Sequence, residues 1–115
     1  MNSYSGHCHC GTVTFEVETD FENLFRCNCS FCVRRGAVMV KVPATRFRLV
    51  KGEESLGRYG NRDFSKHFFC GTCGINCFTR ISRGTEASVA VNFGCLDGVD
   101  RELPEPALFD GANLL

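Results

Sequence analysis

Nine cysteines in 115 residues constrain this chain more than any other feature, because seven of them fall into three tight groups. Cys8 and Cys10 are two apart, Cys27, Cys29 and Cys32 lie within six residues, and Cys70 and Cys73 form a Cys-x-x-Cys knuckle. Thiols two apart do not reach disulfide geometry without backbone strain. The count is odd. Met1 to Cys10 has no basic n-region and no apolar h-region, so neither a secretory signal nor an oxidising compartment is expected. Clustered thiols in a reducing compartment bind metal. Cys77 and Cys95 stand outside the groups.

A chain of 115 residues has room for one core, so a single domain over residues 1–115 is expected. Thirteen basic and thirteen acidic residues give zero net charge, a poor basis for binding nucleic acid or an anionic membrane surface. No apolar run approaches the roughly 20 residues of a membrane span. Val13, Phe15 and Val17 alternate with polar residues, which predicts a strand over Thr12 to Glu18. Further strands are predicted at Ala37 to Val42, Phe47 to Val50, Ser55 to Tyr59, His67 to Cys70, Cys77 to Ile81 and Ala87 to Phe93. Gly52-Glu53-Glu54 is a turn. The last of these strands puts Val89, Val91 and Phe93 on one face. The tail beyond Leu96, with Asp97-Gly98, Pro104 and Pro106, reads as loop with one short strand. No helical period appears over a helix-length window. The expectation is a mostly-β domain of short antiparallel sheets, with the cysteine groups in turns.

Cys8, Cys10, Cys70 and Cys73 supply four thiolates from two knuckles, a closed tetrahedral set typical of structural zinc. Gly6, Gly11, Gly71 and Gly74 flank them and permit the bends that two-apart ligands need. The 59 residues between Cys10 and Cys70 would be closed by the ion, which removes unfolded-state entropy. The competing readings are buried free thiols or a redox Cys-x-x-Cys. The redox reading wants a helix after the second cysteine, and Gly74-Ile75-Asn76-Cys77 does not look like one. His7, His9 and His67 lie near this group, which already has four thiols, so they are expected around the site or exposed.

Cys27, Cys29 and Cys32 supply three thiolates without an obvious fourth ligand. That is the arrangement of a catalytic zinc with a position left for substrate. Such a soft site favours an incoming thiol and lowers its pKa. The alternative is a second closed zinc completed by Cys77, Cys95 or a histidine. Arg34 and Arg35 either clamp carboxylates of an anionic thiol or are simply solvated. Phe31 either walls the open position or joins the core.

Taken in order, four segments resemble the glutathione-dependent formaldehyde-activating enzyme family, which includes centromere protein V. They are Gly6-x-Cys8-His9-Cys10-Gly11-x-Val13-x-Phe15-Glu16, Cys27-Asn28-Cys29-Ser30-x-Cys32-x-Arg34-x-Gly36, Phe69-Cys70-x-x-Cys73-Gly74 and Val91-Asn92-x-x-Cys95-Leu96-Asp97-Gly98. The resemblance implies a β-rich, zinc-stapled fold with structural zinc on Cys8, Cys10, Cys70 and Cys73. It implies catalytic zinc on Cys27, Cys29 and Cys32. The family's activity is condensation of formaldehyde with glutathione to S-(hydroxymethyl)glutathione, a carbon–sulfur lyase activity, and its bacterial members are cytoplasmic. Cys77 and Cys95 have no ligand role in this pattern and are read as structural.

Three functions fit these residues. An enzyme would add a zinc-bound thiol to a small aldehyde, with Arg34 or Arg35 orienting the thiol's carboxylates. A zinc-dependent small-thiol binding protein would use the same open site without turnover. A structural interaction domain would have two closed zinc sites.

Overall fold

Val13, Phe15 and Val17 are buried, whereas Glu16 and Glu18 face solvent. This alternation gives the smaller of two sheets its apolar face. The computed structural model describes residues 1–100, 102 and 105–115. Its strands run β1 (Asn2–His7), β2 (Thr14–Thr19), β3 (Leu24–Cys27), β4 (Met39–Pro43), β5 (Phe47–Lys51), β6 (Leu56–Tyr59), β7 (Ser65–Cys70), β8 (Asn76–Arg83), β9 (Glu86–Asn92) and β10 (Ala107–Phe109). Helix α1 (Ser30–Arg35) follows β3, and a short α2 (Gly111–Leu114) ends the chain.

Strands β1, β2 and β5 form a three-stranded antiparallel sheet in that order. The other seven form a second sheet, ordered β10-β3-β4-β9-β8-β7-β6. All its pairings are antiparallel except β10 with β3, which is parallel. The sheets pack face to face through aromatic rings. Phe78 of β8 lies 4.8 Å from Phe47 and 6.2 Å from Phe15, centroid to centroid. Val40, Val42, Val89 and Val91 complete this core. Arg80 lays its guanidinium over the Phe47 and Phe78 rings at the core's edge.

Neighbouring residues in register share a face of a sheet. Lys41 pairs with Ala90, Ala90 with Thr79, and Thr79 with His67. This row therefore crosses four strands on the face turned away from the smaller sheet. On β8 the period of two adds Ile81 and Arg83 to the same face. Helix α1 is folded beside this face, and the candidate site lies there.

The predicted strands are present with ends shifted by a residue or two. Phe93 is buried as expected but begins a single 3-10 turn after β9. Besides the tail helix α2, three elements were not predicted. β1 reads Asn-Ser-Tyr-Ser-Gly-His, with no alternating apolar residues to signal it. β3 is four residues without a period. α1 is six residues, too short to show one. The cysteine groups are also not confined to turns: Cys32 is inside α1, and Cys27 ends β3. In the tail, β10 is the one short strand expected there and α2 is an addition, while Pro104 lies outside the described residues. Among the described residues, no helix is long and apolar enough to cross a membrane.

Phe78 is fully buried and meets Phe15, Phe47 and Phe68. Phe78→Ala is expected to cost about 3–5 kcal/mol, a large part of the 5–15 kcal/mol typical of a domain. Guanidinium unfolding checks this: the midpoint falls while the slope stays close to wild type.

Candidate functional site

The turn after β1 and the turn after β7 bring four thiols together. Cys8, Cys10, Cys70 and Cys73 have all their sulfurs within 4.8 Å of one another. Cys10 Sγ stands 3.7 Å from both Cys8 Sγ and Cys70 Sγ. Four sulfurs at about 2.3 Å from one ion would be about 3.8 Å apart, so this donor set fits a tetrahedral metal. Gly11 and Gly74 make the bends with φ of +80° and +82°, where a side chain is disfavoured. Backbone N–H groups point at the sulfurs: Val13 donates to Cys8 Sγ at 3.3 Å, and Thr72 donates to Cys70 Sγ at 3.3 Å. Burial pushes the Cys8 thiol up to about 11. At the rim, the backbone N–H of Ile75 and that of Cys10 bring Cys73 down to about 6.

Cys27, Cys29 and Cys32 form the second group, with sulfurs also within 4.8 Å of one another. Cys29 caps α1: its sulfur accepts from the Cys32 N–H at 3.4 Å. The cap and the single helical turn bring Cys32 back beside Cys29. Burial opposes ionisation of Cys29, but the N–H and thiol of Cys32 and the thiol of Cys27 outweigh it and lower the pKa to about 7. Burial raises Cys32 to about 12, against the pull of Arg35. A buried thiol held that high is a ligand whose charge a cation would have to balance. Three thiols this close, in a water-poor setting, suit a soft divalent metal.

No fourth cysteine, histidine or carboxylate ligand atom joins this group among the described residues. Cys77 and Cys95 lie elsewhere. Cys77 is fully buried and donates to the Ile75 carbonyl, while Cys95 donates to the Asn76 carbonyl. A hydrogen bond that the neutral Cys77 thiol donates to Cys95, together with burial, pushes the Cys77 thiol up.

The three thiols instead face a cavity of about 130 Å³. Its walls include Phe25, Phe64, Ile81, Phe109 and Leu115, and Arg35, Lys41, Arg62 and Arg83 also line it. Phe25, Lys41 and Phe109 are shared with a wider surface groove of about 740 Å³. The C-terminal segment closes one side. Asn28 Nδ2 donates to Asp110 Oδ1 at 2.9 Å, and the Ala112 N–H donates to Asn28 Oδ1 at 2.7 Å. A Cβ on Gly111 would stand 2.5 Å from Cys27 Sγ.

The two arginines part company. Arg35 is half-buried and donates to Cys32 Sγ at 3.2 Å, to Asn76 Oδ1 at 3.2 Å and to Thr79 Oγ1 at 3.3 Å. Arg34 is exposed, donates to the Ser30 carbonyl at 2.7 Å, and lies outside the cavity lining. The histidines also separate. His7 pairs with Asp97 at 3.2 Å, and His9 is exposed. His67, expected beside the four-thiol group, lines the three-thiol cavity instead, since strand alternation turns it to the other face. It is buried, bonds Thr79 Oγ1 at 2.8 Å and stacks on Phe31 at 3.9 Å. Phe31 thus backs His67 and is not part of the cavity lining. Sequence reading missed Lys41, Arg62, Arg83 and His67 as residues of this site. Lys41 and His67 were legible only through strand register, and Arg62 carried no signal.

The profile of the glutathione-dependent formaldehyde-activating enzyme family matches residues 3–110. The chain belongs to this family. A crystal structure of a Rhodobacter sphaeroides protein is similar to it at 39% identity and a TM-score of 0.82, covering 91% of this chain and 99% of that one. Within the formaldehyde-activating enzyme fold, both thiol groups of this chain therefore sit in matched sequence.

Burial, with the charges of Arg35, Arg62 and Lys66, depresses the His67 pKa to about 4. The unfolded chain takes up this proton near pH 6.5 and the folded chain near 4, so stability is lost as pH falls through that window. The loss is on the order of 3 kcal/mol. His67→Gln is expected to flatten the stability profile between pH 6.5 and 4, measured by denaturant unfolding at each pH beside the wild type.

Proposed function

We propose that this chain joins a thiol to a small aldehyde at the three-cysteine site, with zinc as the metal. Glutathione and formaldehyde would give S-(hydroxymethyl)glutathione, a carbon–sulfur lyase-type activity. The observation that carries this reading is the contrast between the two thiol groups. Four thiols surround one closed point, while three stand on the wall of a cavity with no fourth protein ligand among the described residues. Structural zinc is assigned to Cys8, Cys10, Cys70 and Cys73. Catalytic zinc is assigned to Cys27, Cys29 and Cys32, leaving one coordination position for substrate.

Zinc bound there supplies a Lewis acid that favours the thiolate form of an incoming thiol near neutral pH. The protein's own groups do the rest. Phe25, Ile81, Phe109 and Leu115 give the reacting atoms apolar walls. Arg35 holds a positive charge 3.2 Å from Cys32 Sγ and so favours the ionised cluster. The adjoining groove has room for the body of a tripeptide thiol, and a separate groove of about 640 Å³ beside α1 is lined by both Arg34 and Arg35. In the reaction the sulfur–carbon bond forms as the carbonyl π bond breaks. The thiol's proton ends on the former carbonyl oxygen. The same reading puts the protein in a reducing compartment such as the cytoplasm, since both groups serve as ligands only while reduced.

The deciding experiment is turnover of formaldehyde and glutathione by the zinc-loaded protein, expected to exceed the uncatalysed rate. Glutathione binding without such turnover would leave a binding protein. Cys29→Ser is expected to stay folded, keep one zinc per chain and lose glutathione binding in a calorimetric titration. The reason is that the Cys27–Cys32 loop is local and its closure adds little stability. If the wild type binds no glutathione and this variant unfolds, the second site is structural.

Cys73→Ser should behave in the opposite way. It opens the closure of the 59 residues between Cys10 and Cys70, where metal binding is folding free energy. The variant is expected to be largely unfolded by circular dichroism. A soluble variant with wild-type melting overturns the structural assignment.

A further inference from the structure

We propose that the inner cavity takes a small substrate whose carboxylate, held by Lys41, Arg62 and Arg83, lies a few bonds from the reacting atom. The proposal rests on the thiol-addition reading and specifies its substrate. Three observations converge on it.

The first is charge. The chain has no net charge, yet four cations and no carboxylate side chain line this cavity. Arg35 is engaged with Cys32, Asn76 and Thr79. Lys41, Arg62 and Arg83 take part in neither of the ion pairs found among the described residues. Arg83 instead rests on the Phe64 ring at 4.4 Å, which leaves its charge available to an anion. Cations on low-dielectric walls focus their field into the space between them.

The second is placement. Lys41 reaches the cavity from β4, Arg62 from the β6–β7 connection and Arg83 from the end of β8. Three separate segments thus bring cations to one cavity, which the three thiols also line. An anion held by these side chains sits close to the thiol group.

The third is size. A cavity of about 130 Å³ holds roughly four waters' share of liquid volume. A tripeptide thiol extends beyond this space, so its two carboxylates, at the far ends of its chain, reach into the adjoining groove that shares Phe25, Lys41 and Phe109 with the cavity. What fits is a compact acid. The shared chemistry is a carboxylate next to the reacting centre, and it has two sources: a short mercapto acid, or a carbonyl partner of the 2-oxo acid type. In either case the sulfur–carbon bond forms, the carbonyl π bond breaks, and the thiol proton moves to oxygen, with no further reactant.

The test uses the zinc-loaded full chain at low ionic strength and isothermal titration of two matched pairs. Mercaptoacetate against 2-mercaptoethanol tests a carboxylate on the thiol. Glyoxylate against glycolaldehyde tests one on the carbonyl compound. In at least one pair the charged member is expected to bind tighter by about tenfold or more. The preference should shrink with added salt. In the double variant Lys41→Met/Arg83→Gln, at two exposed positions, the ratio is expected to fall toward one. No preference in either pair, including no binding by any probe, overturns the proposal, as does a ratio unchanged in the double variant. A preference that persists and responds to these substitutions, in a protein that turns over no thiol–aldehyde pair, supports the anion site and sinks the enzyme reading.

Discussion

The meeting of four thiols at the ends of two β-turns is the contact on which the arrangement of the sheets depends. The three-stranded and seven-stranded sheets meet through side-chain packing and the short connections on either side of β5, and β1 also meets the segment after β9 through the Gly6–Leu96 bridge and the Asp97 N–H bond to the Ser5 carbonyl. Packing alone is non-directional. The turn after β1 belongs to the smaller sheet and the turn after β7 to the larger one, so a metal held by both fixes their relation. The N–H donors from Val13 and Thr72 orient the sulfurs before any ion arrives.

The second thiol group uses the same chemistry for a different end. Its three thiols come from the end of one strand, a helix cap and the first turn of that helix. Nothing distant is tied together, so the fold gains little from it. What it gains is position: the cluster lies on the sheet face opposite the core, beside a cavity whose far walls are side chains of β4, β8 and β7. On the proposed assignment, dividing the thiols in this way would let one site be closed and stable while the other stays open to substrate.

Much of this was legible in the chain. Alternation in Val13, Phe15 and Val17 and in Val89 and Val91 marked the core strands, and cysteine spacing marked both groups. What was not legible had no local signal. β1 carries serines and a histidine where apolar residues would alternate, and its pairing with β2 makes it a strand. The six residues of α1 are a helix because a cysteine caps one end and Gly36 stops the other. Without the helix, Arg34 and Arg35 read alike. With it, the turn of about 100° per residue sends one to the thiols and the other to solvent. Lys41, Arg62 and Arg83 are some twenty residues apart in sequence and share a site only through sheet register and a loop.

The charge of the cluster explains why those cations are needed. A zinc ion carries two positive charges and three thiolates carry three negative ones, so the proposed site is a net anion before any substrate arrives. A thiolate adds a further negative charge, and a substrate carboxylate another. In water such repulsion is weak, but it grows in a small cavity with apolar walls. Arg35, 3.2 Å from Cys32 Sγ, offsets the charge of the cluster itself. One cation would leave an anionic substrate repelled at the mouth. The remaining three, on separate segments, would oppose that repulsion where the proposed substrate enters without altering the sulfur donors themselves. A chain with no net charge can thus present a strongly polarised cavity, because recognition depends on where charges are placed and not on their sum.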